Sequence, residues 1–592
     1  MLLDEKQQEI ELSFVERIYQ TFINVRKRLI SLSVLFKENE KVYCNDSDSD
    51  EEMFMGPFPS DKEEIEKCLI DVDRILEHLA STKDLQEQFP SFPLCKDGWT
   101  IRRFVDVANF DPTKRRKTVL NWIKLQTLTA CEDAQKNKYS LRRNSYSTRQ
   151  TIEKELLFDH EHVNGINFLS ISSVPTATIT TTDEITLSPT NNVYDLNLLD
   201  LPNEILIHIF SYLTPCELVP QCALICRKFY TIILDHLWTK LELRNLISVY
   251  DVACLLQSVP LLKSLTFVEW NELSPITWCI WLHSMNAQIR SIRFQSTTLN
   301  PICVALLVEL LPNFDTIIFD YQNKAFDKFD LLLTLLADKS SLKRITASYQ
   351  LGISNFGILQ LVTKLPILIE LNLLYVEAIN DETVRILCEK HKDHLQILKI
   401  DGAQLTDKSL IYIGKCKLLK ALMIEFCSGM NGEYFSVIGD LSQLEELCLS
   451  KLTLIPLQAY ESIFFDHFFP HMSVLKLGEC QCINDACVEL IVKACPNLKD
   501  LTLAWSPDIT DIGFETICIG CKKLTKLSVL GCFRIVGTCL NDVPDKYLKY
   551  IKHLNFEQCN HTSDELLTDL YKRKNDLFII NYYGTCVETD EN

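Results

Sequence analysis

The chain has 592 residues, several times the usual size of one domain, and its 47% apolar and 23% charged residues are the balance of a well-packed soluble protein. Its 60 basic and 79 acidic residues give a formal charge of −19, which argues against DNA or another polyanion as the main ligand, because phosphate binding relies on Lys and Arg. The first residues, MLLDEKQQEIEL, are too charged for a signal peptide, and no apolar run approaches the roughly 20 residues that span a bilayer. We therefore expect a soluble protein of the cytoplasm or nucleus, with neither membrane nor nucleic acid as a partner.

The first 130 residues are predicted to be helical. Apolar residues at steps of three or four predict helices over residues 5–36 and 65–79, which could pair as a hairpin, and a weaker helix is expected around residues 118–130. Residues 131–195 are rich in Ser, Thr, Asn and charge, which predicts a flexible linker.

Three serines in these segments are candidate phosphorylation sites. Ser47 and Ser49 are followed by acidic residues, as acidophilic kinases prefer. Ser145 follows two arginines, a context that suits basophilic kinases.

The stretch LDLPNEILIHIFSYL, residues 199–213, predicts a helix with an unusually wide apolar surface. Five bulky apolar residues recur at helical spacing, and Ile207 adds an apolar side chain outside that face. A helix that only caps a repeat array needs one apolar face and a polar outside. The sequence therefore favours a helix whose apolar surface is partly available to a partner protein. The alternative is that the helix only caps the downstream repeat array.

Residues 196–240 resemble an F-box. The resemblance rests on Leu201-Pro202 before the first helix, on the apolar run from Ile205 to Leu213, and on Leu237-Trp238 at the end; Pro220 departs from the pattern and is expected to shorten or displace the second helix. In that family a compact three-helix module docks on the Skp-type adaptor of a cullin-RING ubiquitin ligase. The resemblance implies adaptor contacts at Leu201, Pro202, Ile205, Leu206, Ile209, Leu218 and Cys226. Of the first helix, Ile205, Leu206 and Ile209 are expected to meet the adaptor, while Phe210 and Leu213 stay inside.

From residue 238 to 592 one pattern, L-x-x-L-x-L, returns every 24 to 28 residues, with fourteen first positions in all. A period sustained this long predicts a leucine-rich-repeat solenoid of about 13–14 repeats, in which each repeat supplies a short parallel strand and a helix. Cys427, Cys480, Cys532 and Cys559 follow the strand at the ninth position, which resembles the cysteine-containing subclass. The predicted fold is thus an α/β, right-handed solenoid preceded by an all-α F-box and an α-helical N-terminal region.

Aspartates also recur in phase with the repeats. Asp381, Asp407, Asp485 and Asp511 are separated by multiples of 26 residues, and each precedes a helical segment. We expect each carboxylate to accept hydrogen bonds from the N–H groups of the helix that it precedes.

An F-box followed by leucine-rich repeats resembles the substrate receptors of ubiquitin ligases. The resemblance implies a non-catalytic subunit without cofactor, which binds the adaptor, and through it cullin and RING subunits, and holds a protein substrate for ubiquitination by proximity. One alternative is an F-box scaffold that acts without ubiquitination. Another is an enzyme or metal sensor acting through its cysteines, but the lone Cys518-x-x-Cys521 pair is too little for a zinc site, so no metal is expected.

The face of the solenoid formed by the strands is the predicted substrate site. The eighth pattern position carries aromatic residues that should stack into a stripe, with carboxylates beside it. The candidate residues are Tyr321, Tyr349, Tyr375, Phe426, Trp505, Asp401 and Glu425. Such a surface would suit a partner with apolar and basic side chains. The alternative is that the aromatic residues pack on one another and on the turns between strand and helix.

Overall fold

The computed structural model describes residues 2–40, 59–88, 201–213, 226–245, 248–270, 273–285, 288–320, 328–350, 352–452 and 455–587. They belong to two compact units, one comprising residues 112–238 and the other the residues before and after it. The predicted helix at residues 118–130, the predicted linker at 131–195 and the three candidate serines lie outside the described residues.

The N-terminal residues form two long helices, α1 (Leu2–Glu40) and α2 (Pro59–Gln88), which pack against each other as a hairpin. The apolar stripe predicted from the sequence is the buried face of this pair. Its fully buried members include Phe22, Val25 and Leu29 on α1 and Val72 on α2. Arg26 and Asp73 join the two helices in an ion pair at 2.5 Å.

The smaller unit contains α3 (Asn203–Phe210) and α4 (Arg227–Ile232), and α4 continues into a π-helical turn at Ile233–Leu237. The Phe210 ring packs edge-on against Phe229, with 4.9 Å between the ring centroids. The Lys228 ammonium donates to the carbonyl oxygen of Leu201 at 2.7 Å, which ties the entry of α3 to α4.

In the larger unit, fourteen strands of the described residues form one parallel sheet whose order follows the chain. The strands are β1 (Lys240–Arg244), β2 (Ser264–Val268), β3 (Ser291–Gln295), β4 (Thr316–Phe319), β5 (Arg344–Ala347), β6 (Glu370–Leu373), β7 (Ile397–Asp401), β8 (Ala421–Glu425), β9 (Glu446–Ser450), β10 (Val474–Lys476), β11 (Asp500–Thr502), β12 (Lys526–Ser528), β13 (His553–Asn555) and β14 (Phe578–Ile580). The fourth and sixth pattern positions are buried in each of the longer strands, as Leu398 and Ile400 show, while the positions between them are more open. The predicted α/β repeat solenoid is confirmed.

Helices or helical turns follow most strands. They are α5 (Val249–Ser258), α6 (Pro275–Ser284), α7 (Pro301–Leu310), α8 (Phe329–Ala337), α9 (Asn355–Lys364), α10 (Asp381–His391), α11 (Lys408–Ile413), α12 (Ser436–Gly439), α13 (Leu457–Phe464), α14 (Asp485–Ala494), α15 (Asp511–Gly520), a 3-10 turn at Thr538–Asp542 and α16 (Asp564–Arg573). Several begin with an N-capping side chain, such as Ser274, Asn380 and Asn484, that accepts from a backbone N–H of the first turn.

The phased aspartates hold neighbouring repeats together, which corrects the expectation that they cap their own helices. Asp485 is the first residue of α14, whose cap is Asn484, and its carboxylate accepts from Thr510 N at 2.8 Å and from the Thr510 hydroxyl at 2.6 Å in the next repeat. Asp407 likewise accepts from the backbone of Asn431 and Gly432. The sequence period located these carboxylates, but they accept hydrogen bonds from the backbone of the next repeat rather than from their own helices.

The hairpin packs on the helices of the early repeats. Helices α6, α7 and α8 are buried around almost their whole circumference, because the sheet covers one side and the hairpin contacts them on another. Phe36 packs edge-on against Phe356 of α9, with 5.3 Å between the ring centroids. The Arg28 guanidinium reaches Glu309 at 3.4 Å and Asp338 at 3.1 Å, and Lys328 pairs with Glu64 of α2 at 2.6 Å.

Candidate functional sites

The first candidate site is the exposed face of α3. Ile205 and Ile209, four residues apart on one side of this helix, are 47% and 39% exposed. Pro202 is exposed at the start of the helix, and Leu201 is half-buried. Two branched apolar side chains thus lie together on one solvent-facing side of α3, and their contact with an adaptor stays a prediction.

The other residues of the predicted adaptor contact differ in their positions. Leu206 is fully buried, because it lies one turn before Phe210 on the inner face of α3; this corrects the expectation that it leaves the chain with Ile205. Cys226 is half-buried and its sulfur accepts from Phe229 N at 3.5 Å, which caps α4. Phe210 is buried and Leu213 half-buried, while Leu218 lies outside the described residues. Sequence reasoning missed Tyr212, which is exposed and contacts His208.

The second candidate site is the row of residues at pattern position eight, directly after the strands. Tyr349, Tyr375, Phe426 and Trp505 all have left-handed backbone conformations, with φ between 56° and 62°. Gly531 and Gly584 occupy the same position in later repeats, also with positive φ. The N–H of a position-eight residue donates to the carbonyl of the next repeat, as Trp505 does to Leu530 at 2.7 Å.

The left-handed backbone conformation of these aromatic residues is less favourable for them than it is for glycine. It costs a non-glycine residue about 1 kcal/mol relative to glycine. Most described position-eight residues share this conformation, among them Glu269, Ser296, Lys451, Glu479 and Gln558, and glycine satisfies it in two repeats. At Tyr349, Tyr375 and Phe426 an aromatic side chain thus occupies a backbone conformation that glycine adopts more easily.

Three of these aromatic residues form a continuous row. The rings of Tyr349 and Tyr375 are stacked with 3.9 Å between centroids, and Phe426 meets Tyr375 edge-on at 5.5 Å. Gly402 stands between the last two in the repeat order, so no side chain separates their rings. The Lys451 ammonium lies 4.0 Å from the centroid of Phe426 and ends the row. The three aromatic residues are half-buried, so they both pack on one another and present a surface; Tyr321 lies outside the described residues.

The two predicted carboxylates beside this row are less open than the sequence suggests. Asp401 is 4% exposed, and its carboxylate accepts from Ala403 N at 2.9 Å; burial raises its pKa. This corrects its assignment as a binding group, because the side chain turns back to its own loop. Glu425 is half-buried and accepts from the Cys448 thiol, whose pKa burial raises to about 12.

Trp505 lies apart from the row, two repeats beyond Lys451. It is 40% exposed and lies against Gly531. With Glu479, Gln481, Pro507 and Phe533 it lines a hollow of about 560 Å³. Sequence reasoning found Trp505 but missed Gln481, Pro507 and Phe533, which lie beyond the eighth position in the loops after the strands.

The phased cysteines have a structural role. The buried thiols of Cys480, Cys532 and Cys559 donate to carbonyl oxygens of the preceding repeat at 3.0–3.3 Å, and burial raises their pKa values. The Cys518 thiol contacts Cys539, at 3.5 Å between sulfur atoms. Among the residues that the structure describes, no group of three His, Cys, Asp or Glu side chains could hold a metal ion, and no helix there combines the length and apolarity needed to cross a membrane.

Comparison with protein-family models identifies the segment that contains α3. Residues 198–244 match the model of the F-box-like family. Among solved structures, the chain is similar to one in the crystal structure of the yeast Rad7–Elc1 complex, with 14% identity, a TM-score of 0.45 and coverage of 64% of this chain and 91% of that one. It is also similar to a chain in the crystal structure of the TLR13–ssRNA13 complex, with 17% identity, a TM-score of 0.25 and coverage of 58% and 42%. The chain thus carries an F-box, which includes α3 and its exposed isoleucines, followed by a leucine-rich-repeat solenoid.

Proposed function

We propose that this F-box and repeat protein is the substrate-recognition subunit of an Skp–cullin–F-box ubiquitin ligase, acting in the cytoplasm or nucleus. Its F-box would bind the Skp-type adaptor, and through it cullin and RING subunits, while the solenoid holds the target protein. The protein itself would contribute no catalytic group, since its role is to raise the local concentration of the target at the ubiquitin-conjugating enzyme.

The observation that carries the proposal is the exposed pair Ile205 and Ile209 on a segment that matches the F-box-like family. Apolar side chains that are exposed together on one helix face are typical of a docking surface. The aromatic row Tyr349–Tyr375–Phe426 supports the second half of the proposal, because aromatic residues dominate the energetics of many protein interfaces.

The test separates the two surfaces in one experiment. Ile205→Asp places a charge in the proposed adaptor contact and should reduce adaptor binding at least about 100-fold, because an unpaired charge in an apolar interface costs several kcal/mol. Ile519→Asp, at an isoleucine of α15 that is 48% exposed, is the matched control and should bind the adaptor normally.

The combined variant Tyr349→Ala and Tyr375→Ala should keep the adaptor and lose the target. Its readout is proximity labelling with and without a proteasome inhibitor, which identifies bound proteins that accumulate when degradation is blocked. Tyr550→Ala, at an exposed tyrosine outside the aromatic row, is the control. Adaptor binding by Ile205→Asp would contradict the docking surface. Recovery of the adaptor without cullin, or no accumulation of any bound protein, would favour the scaffold that acts without ubiquitination.

A further inference from the structure

The hollow beside Trp505 spans three consecutive repeats near the C-terminal end of the solenoid. Glu479 and Gln481 follow β10, Trp505 and Pro507 follow β11, and Gly531 and Phe533 follow β12. Trp505 and Phe533 are 40% and 41% exposed. Two large aromatic side chains are therefore open to solvent in one concavity of about 560 Å³.

Gly531 makes room for the indole of Trp505. A Cβ atom at Gly531 would lie 2.7 Å from the indole carbon atoms, far inside van der Waals contact. Gly531, with a φ of 73°, also has the left-handed backbone conformation of Trp505, which stands at position eight of the preceding repeat. The indole thus occupies the space that a position-eight side chain of the next repeat would fill.

The charge of the hollow is negative. Glu479 is the charged member of the residues that line it, and within the described chain no side-chain group is seen to donate to its carboxylate. Arg534, the cation next to Phe533, is already paired with Asp508 at 3.0 Å. The hollow therefore combines aromatic rings with a carboxylate that has no cationic partner among the described residues.

We propose that this hollow binds the guanidinium of an arginine in an extended segment of the target protein. A guanidinium is planar, stacks on aromatic rings and donates hydrogen bonds to carboxylates. Trp505 supplies the stacking surface, Glu479 accepts from the guanidinium, and Phe533 covers its aliphatic stem. The inference rests on the proposed function, since it assigns part of the recognition of the target to this end of the solenoid.

Peptide pools test the proposal on the full chain. Three pools of dodecapeptides share a randomised background and carry arginine, citrulline or norleucine at the centre, and their binding is measured by fluorescence polarisation. Citrulline keeps the shape of arginine without its charge, and norleucine keeps only an unbranched stem. The arginine pool should bind about tenfold more tightly than the other two.

Two variants assign the preference to the hollow. Glu479→Gln should bring the arginine and citrulline pools within about twofold of each other, and Trp505→Ala should weaken the arginine pool about tenfold, while Trp505→Phe restores part of the binding. The controls are Glu489→Gln on α14 and Phe468→Ala, an exposed phenylalanine outside the hollow. Thermal unfolding verifies that each variant is folded.

Equal binding of the three pools would overturn the proposal, as would an arginine preference that survives both Glu479→Gln and Trp505→Ala. The proposed ligase function fails by a different measurement, loss of adaptor and cullin association, so the two outcomes are distinguishable.

Discussion

At the scale of single residues, Asp330 shows how burial competes with hydrogen bonding. Its carboxylate is buried in α8 and accepts from Ser354 N at 2.8 Å and from the Ser354 hydroxyl. Desolvation outweighs these bonds and raises its pKa to about 6. The folded protein therefore binds a proton at Asp330 more tightly than the unfolded chain does, whose Asp pKa is about 3.9. Its contribution to stability is complete below about pH 4 and is lost as the pH rises through about 6.

Asp330→Asn should remove this part of the pH dependence. The difference of about two pKa units corresponds to about 3 kcal/mol of unfolding free energy between pH 4 and pH 7. The amide oxygen of Asn can still accept from Ser354 N, so the variant should remain folded and its urea midpoint should fall less between these pH values than that of the wild type. Asp545→Asn, at an exposed aspartate, is the control. Parallel pH profiles for Asp330→Asn and the wild type would contradict the prediction.

At the scale of elements, the repeats are linked at the first turns of their helices. Asp485 of α14 accepts from Thr510 N and from Gly513 N at 3.0 Å, at the start of α15. A Cβ atom at Gly513 would overlap the Asp485 carboxylate. Asp330 and Gly357 repeat this arrangement between α8 and α9. At these two places a carboxylate of one helix occupies the space in which the next helix carries a glycine.

Gly513→Ala should therefore destabilise the solenoid by about 1–3 kcal/mol, the usual effect of overpacking. Asp485→Ala removes the carboxylate, and the double variant should be less destabilised than the sum of the two single variants, because the clash is gone. Urea unfolding of the full chain measures the three values. Gly478→Ala is the control, since a Cβ there would meet Ser450 at an ordinary 3.5 Å. Additive effects of the two single variants would refute the proposed contact.

The sequence predicts elements better than it predicts the contacts between them. The fourteen strands follow from the Leu period, because a strand in this array must bury its fourth and sixth residues against a helix. The direction of the Asp485 side chain could not be predicted from the sequence. The repeat pattern does not distinguish a hydrogen bond to the N-terminus of its own helix from one to the N-terminus of the helix in the next repeat. Asp401 was misassigned because its position at the end of β7 suggests an open side chain. Its carboxylate instead accepts a hydrogen bond from Ala403 N, which turns the side chain inward.

At the scale of the whole molecule, the N-terminal hairpin also shows that elements are easier to predict from the sequence than the contacts between them. The sequence predicts both helices but not the surface on which they pack, because an apolar stripe does not identify its partner. A signal was nevertheless present in PICVALLVEL of α7, which is apolar on every side except at Glu309. A helix of that kind is covered on more than one side. The sheet covers one side of α7, and α1 and α2 supply further contacts.

The hairpin should therefore contribute to the free energy of unfolding of the solenoid. Phe36→Asp places a charge at a fully buried site against Phe356 and should destabilise this end of the solenoid by about 3–5 kcal/mol. Val34→Asp, two residues away on α1 and 50% exposed, is the matched control and should change stability by less than about 0.5 kcal/mol.

Hydrogen exchange of the amides of α7 and α9 locates the effect. These amides should exchange faster in Phe36→Asp, because undocking of α1 uncovers the helices beneath it, while exchange in α14 and α15 stays unchanged, since each repeat contacts only its neighbours. Equal hydrogen exchange of the α7 amides in both variants would contradict the prediction, because the early repeats would then be stable without the hairpin. The predicted outcome also affects how a truncated chain is interpreted. Removing residues 1–88 to isolate the F-box and solenoid would expose α6, α7 and α8. A loss of target binding by that truncated chain could therefore result from an unstable solenoid as readily as from a missing binding surface.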